Sequence, residues 1–64
     1  MKCWKAVITV RNKKDTWKVC LHKWGKRFTK KEAADHVMRT YSGCQIEVLD
    51  IEIFPIDERT GERL

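Results

Sequence analysis

From Cys3 to Arg11 the chain alternates, with Trp4, Ala6, Ile8 and Val10 on one side and Lys5, Thr9 and Arg11 on the other. A period of two carried by β-branched residues predicts a half-buried strand. Thr16 to Lys23 alternates again, setting Trp17, Val19 and Leu21 against Lys18, Cys20 and His22, after a polar turn at Asn12-Lys13-Lys14-Asp15. Pairing Arg11 with Thr16 brings Ile8 opposite Val19 and Ala6 opposite Leu21. Both apolar sets then share one face, as a hairpin register must arrange.

The pattern changes to a helical one after a loop at Trp24-Gly25-Lys26-Arg27. Thr29-Lys30-Lys31-Glu32 predicts a capping box: the Thr29 hydroxyl accepts from the Glu32 N–H, and the Glu32 carboxylate reaches back to Thr29. Phe28 stands where it would staple to Ala33. Ala33, Ala34, Val37, Met38 and Tyr41 form an apolar stripe at helical spacing, and Gly43 supplies a left-handed stop.

Gln45 to Phe54 predicts a third strand whose pattern changes phase. Ile46 and Val48 alternate in one register, and Leu49, Ile51 and Ile53 in the other. Either a bulge lies near Val48-Leu49, or Ile46 packs from the loop before the strand. Pro55 is expected to end the ladder. The simplest assembly is an α+β ββαβ fold: a three-stranded antiparallel sheet in the order 2-1-3 with one helix on one face. The domain spans residues 1–56 and a charged tail spans 57–64. The expected core joins the inward sets of the first two strands and Leu49, Ile51 and Ile53 to Phe28, Ala33, Ala34, Val37, Met38 and Tyr41.

Length adds a constraint. A chain of 64 residues buries only about 60% of the surface its unfolded form exposes, so small domains often recruit disulfides, a metal or a second subunit. Cys3, Cys20 and Cys44 are odd in number and widely spaced, which predicts free, mostly buried thiols. Met1-Lys2 leads straight into the first strand without a leader-like apolar region, and no apolar run is of membrane-spanning length. These features predict a cytoplasmic protein with no membrane association, and leave self-association as the extra source of stability.

Candidate chemistry is sparse. The sequence has no nucleophile–histidine arrangement with motif support and no glycine-rich phosphate loop. Asp50 and Glu52 share a strand face with Lys5, Thr9 and Lys18, where cross-strand ion pairing is expected rather than acid–base catalysis. Cys20 and His22 could touch one ion, but a structural zinc site wants four ligands. The expectation is a non-enzymatic protein with no cofactor and no metal.

Charge is unevenly distributed along the chain. Residues 1–31 carry eleven basic side chains against Asp15 alone, a charge of +10; residues 32–64 carry three arginines against eight acids, a charge of −5. The topology gathers Lys2, Lys5, Lys23, Lys26, Arg27, Lys30 and Lys31 at one pole with Trp24 and the helix N-terminus. Lysines there would supply phosphate affinity, Arg27 a bidentate contact, and Trp24 a ring for an unpaired base. The tail acids Asp57, Glu58 and Glu62 are tethered at the same pole and are expected to compete with an external anion. Strand 3 is expected to be an exposed edge, with Val7, Val48 and Phe54 on the open sheet face as a dimer or partner surface.

Trp17-Lys18-Val19 and Gly25-Lys26-Arg27-Phe28-Thr29-Lys30-Lys31-Glu32-Ala33 resemble the arm-binding domain of tyrosine integrases, which binds DNA with its sheet. That family completes three strands before its helix, whereas a strand follows the helix here, so no residue role carries over. In size and plainness the chain resembles small accessory proteins of bacteriophages, including inhibitors of host enzymes and anti-CRISPR proteins, which act in the host-cell cytoplasm by occluding a partner. The leading expectation is a binding module whose basic pole docks on nucleic acid or another acidic surface. The alternative is a protein-binding inhibitor or adaptor, of the kind phages encode, that uses the strand 3 edge and open sheet face; a homodimer through strand 3 is a separate expectation.

Overall fold

The computed structural model describes residues 3–64. Strand β1 (Cys3–Arg11) and strand β2 (Thr16–Trp24) form a hairpin, followed by helix α1 (Lys30–Thr40) and strand β3 (Glu47–Ile56). The sheet order is β2-β1-β3 and both pairings are antiparallel, so this is the α+β ββαβ arrangement expected. The hairpin register pairs Arg11 with Thr16, Ile8 with Val19 and Ala6 with Leu21. Asn12 closes the turn: its Oδ1 accepts from the Lys14 and Asp15 N–H groups, and its own N–H donates to the Asp15 carbonyl at 2.9 Å.

Thr29 caps α1, with its hydroxyl accepting from the Glu32 N–H at 3.1 Å. Gly43 follows the helix at φ 85°, a conformation that costs residues with a Cβ and not glycine. Ala33 and Val37 are fully buried against Ala6, Ile8 and Val10 of the central strand. Trp17, Val19, Leu21, Phe28, Tyr41, Ile46, Val48, Ile51 and Ile53 pack around them. Burying a residue such as Ile8 contributes about 1.5–3 kcal/mol, so these few side chains carry much of the fold.

The phase change in β3 is a bulge. Thr9 pairs with Asp50 and Val10 pairs with Val48, which leaves Leu49 as the extra residue. Two expectations are corrected here. Leu49 is 44% exposed rather than part of the core, and Val48 packs on the helix side rather than on the open face. Ile46, just before the strand, also packs against the core. Met38 leaves the expected core as well, at 51% exposed: it lies one step round the helix from Val37, at the margin of the stripe.

Pro55 does not end the ladder, since β3 runs on to Ile56. The Pro55 carbonyl accepts from the Leu64 N–H on the outer side of β3, so its ring nitrogen also points away from β1 and no ladder donor is lost. Residues 57–64 turn back here. The Asp57 carboxylate accepts from the Arg59 and Thr60 N–H groups, and Arg63 bridges Ile56. The thiols also differ from expectation: Cys3 is buried, but Cys20 and Cys44 are exposed. Cys20 lies on the face without a helix, and Cys44 in the loop after α1. Among the described residues, no helix is long and apolar enough to cross a membrane.

Candidate functional site

Two faces of the sheet meet at the pole where β1 begins and β2 and β3 end. Antiparallel alternation puts Lys23, Trp4 and Pro55 in a row on the helix side and Trp24, Cys3 and Ile56 in a row on the other. The predicted basic residues therefore divide. Lys5 projects from the face without the helix, between His22 and Phe54. Lys23 projects toward α1, and its Nζ lies 2.7 Å from Glu32 Oε2 and 5.6 Å from the Phe28 ring centre. The Arg27 guanidinium stands over the Trp4 ring at 5.8 Å. Lys2 lies outside the described residues.

Gly25, at φ 89°, turns the chain from β2 into the loop, where the Lys26 N–H donates to the Trp24 carbonyl at 3.3 Å. Lys26, Lys30 and Lys31 are exposed, and among the described residues none has an ion-pair partner. Trp24 is 58% exposed, enough to present a ring face to a ligand. Lys30 and Lys31 open the helix, where the macrodipole favours anions and disfavours cations by about 0.3–1 kcal/mol each. Stability alone does not favour two lysines at those positions.

The Glu32 carboxyl is held below its ordinary value, first by the hydrogen bond from Lys23, against an opposing desolvation, with further lowering from the Lys23 charge and from Thr29. Glu32 thus engages Lys23 across elements, a pairing that the capping-box signature does not announce. The Arg27–Trp4 contact was likewise not legible in sequence, because the two residues lie on different elements.

The tail acids make no ion pair with this cluster among the described residues. The ion pairs there are Lys23–Glu32 and, at the opposite pole, Arg11–Glu47. Asp50 and Glu52 do not form the expected pairs with Lys5 and Lys18. Across the sheet, Asp50 is separated from Lys18 by Thr9, and Glu52 lies beside Val7. The tail instead lays Arg63 over the Phe54 ring at 4.6 Å. Of the three side chains expected on the open face, Val7 and Phe54 are there, half-buried, and Val48 is not.

A shallow concavity at the hairpin pole is lined by Arg11, Asn12, Lys13, Gln45, Ile46 and Glu47, far from the basic loop. Among the described residues, no three His, Cys, Asp or Glu side chains are grouped as metal ligands would be. Comparison with protein-family models, with curated proteins and with solved structures finds no match for this chain.

Proposed function

We propose that this protein is a non-enzymatic binding module whose basic pole docks on nucleic acid. One observation carries the proposal: among the described residues, Lys26, Lys30 and Lys31 are exposed without ion-pair partners around a helix N-terminus, at the pole where the Trp24 ring is exposed on the other face of the sheet. Lysines and helix N–H groups suit phosphate, and Arg27, whose guanidinium lies over the Trp4 ring, presents a planar donor fork. Trp24 offers a stacking surface for an unpaired base, which favours single strands over duplex. Lys23, spent on Glu32, contributes less than its neighbours. The remaining sequence candidate, Lys5, belongs with Trp24 to the face without the helix, so both serve a ligand that wraps the sheet end from the helix N-terminus.

The test is a titration of labelled single- and double-stranded DNA and RNA at low and moderate salt. With about four phosphate contacts, a fourfold rise in salt should cost a single strand roughly fifty-fold in affinity. No binding at low salt would end the proposal. A second proposal, a protein-binding adaptor or inhibitor, is supported by the unpaired outer edge of β2.

A further inference from the structure

The two edges of the sheet are treated differently by the fold. On β3 the outer edge carries the Leu49 bulge, the outward nitrogen of Pro55 and the bridge from Ile56 to Arg63, each of which blocks strand addition. The β2 edge carries none of these: Thr16–Trp24 runs unbulged against β1 over its whole length.

Its outward groups can be assigned. The Asn12–Asp15 hydrogen bond makes that pair a hydrogen-bonded one, and bonded and non-bonded pairs alternate along an antiparallel ladder. Trp17, Val19, Leu21 and Lys23 therefore bond to β1, while the N–H and C=O groups of Lys18, Cys20 and His22 point outward. The β3 side agrees independently: with Pro55 outward, Ile56 and Phe54 bond to Cys3 and Lys5, whose groups point away from β2. None of the outward groups of Lys18, Cys20 or His22 has a partner among the described residues.

The flanks of this edge are also suited to a ligand. Helix α1 packs over β1 and β3 and leaves β2 at the margin, so Trp17, Val19 and Leu21 stay half-buried on the helix side. The opposite side presents Lys18, Cys20, His22 and Trp24. β2 carries no acid, and of its two lysines Lys23 is paired with Glu32 on the helix side, which leaves Lys18 without an ion-pair partner among the described residues. That uncompensated charge on the exposed flank favours an acidic strand.

We infer that the outer edge of β2 is a docking edge for an extended segment of a partner protein that alternates apolar and acidic residues. Its backbone bonds to Lys18, Cys20 and His22, its apolar side chains extend the row of Trp17, Val19 and Leu21, and its acids lie beside Lys18 and His22. This surface is separate from the basic loop and does not depend on nucleic-acid binding.

The probe is a synthetic peptide alternating glutamate and valine, with its lysine–valine counterpart as control, added to the full chain. Amide exchange should slow at Lys18, Cys20 and His22 with the acidic peptide and not with the basic one. Cys20→Pro removes an outward N–H without touching the β1 ladder and should weaken binding about ten-fold, the equivalent of one strong ladder bond. Lys18→Glu, which leaves the backbone intact, should weaken the acidic peptide and strengthen the basic one. The inference is overturned by absence of binding, by protection confined to residues 26–31, or by a free protein that scatters light as a dimer with those amides already protected.

Discussion

Lys23 Nζ sits 2.7 Å from Glu32 Oε2, joining the end of β2 to the first turn of α1 across the loop that carries Lys26 and Arg27. The pair holds the helix N-terminus against the sheet and withdraws one cation from the pole. Both side chains are substantially exposed, so the pair orients the loop more than it stabilises the fold.

The sign of its pH dependence follows from the lowered Glu32 carboxyl. The ordinary value is 4.5 and the folded value lies below it, so the contribution is full above 4.5 and is lost as pH falls through the folded value. An acid titration of wild type against Glu32→Gln, followed by circular dichroism, should show that the variant lacks this increment of acid-dependent destabilisation. Glu32→Gln should also bind single-stranded nucleic acid a few-fold more tightly, because Lys23 is released. Equal or weaker binding would argue against Lys23 as part of the anion-binding pole.

The bulge at Leu49 makes a contrast between adjacent residues. Val48→Asp places a charge against the helix-side core and should destabilise by about 2 kcal/mol or more, whereas Leu49→Asp should change stability by less than about 0.5 kcal/mol. Denaturant melts of the two variants check this, and the reverse order would mean that the ladder pairs without the bulge.

Trp17 Nε1 donates to the Tyr41 hydroxyl at 3.2 Å, with the rings edge to face at 5.6 Å. Tyr41→Phe keeps the ring contact and removes the acceptor, and should cost about 1 kcal/mol in a denaturant melt. A neutral result would show that solvent already satisfies the indole.

Thiol reactivity separates the cysteines. Cys20 and Cys44 should react with an aromatic disulfide in the native state, and Cys3, buried where β1 meets Ile56, only on unfolding. A rapid third thiol would show that this end of the sheet opens readily.

Most of the fold was legible in local pattern. The hairpin register followed from requiring Ile8, Val19, Ala6 and Leu21 to share a face, and the helix from its Thr29 cap and its Ala33–Val37 spacing. The phase change from Val48 to Leu49 signalled a bulge but not which residue leaves the core, because a bulge reverses the facing of everything on one side of it. Met38 was misplaced because stripe membership does not say how wide a face the sheet covers. The site was legible only as a collection of charges. That Lys5 faces away from the helix follows from strand alternation and could have been read in advance. Lys23 bonding Glu32 and Arg27 lying over Trp4 could not, since long side chains choose among several neighbours.

The most direct test of the account is the salt dependence of binding to a labelled single-stranded oligonucleotide, measured for wild type and for Lys30→Ala/Lys31→Ala. Both lysines are exposed at the start of α1, so the double variant should keep its fold by circular dichroism. Wild type should bind with a steep negative slope of log affinity against log salt, and the variant's slope should be shallower by about 1.4. Equal slopes, or no binding by wild type at low salt, would contradict the assignment of the basic pole as a nucleic-acid site.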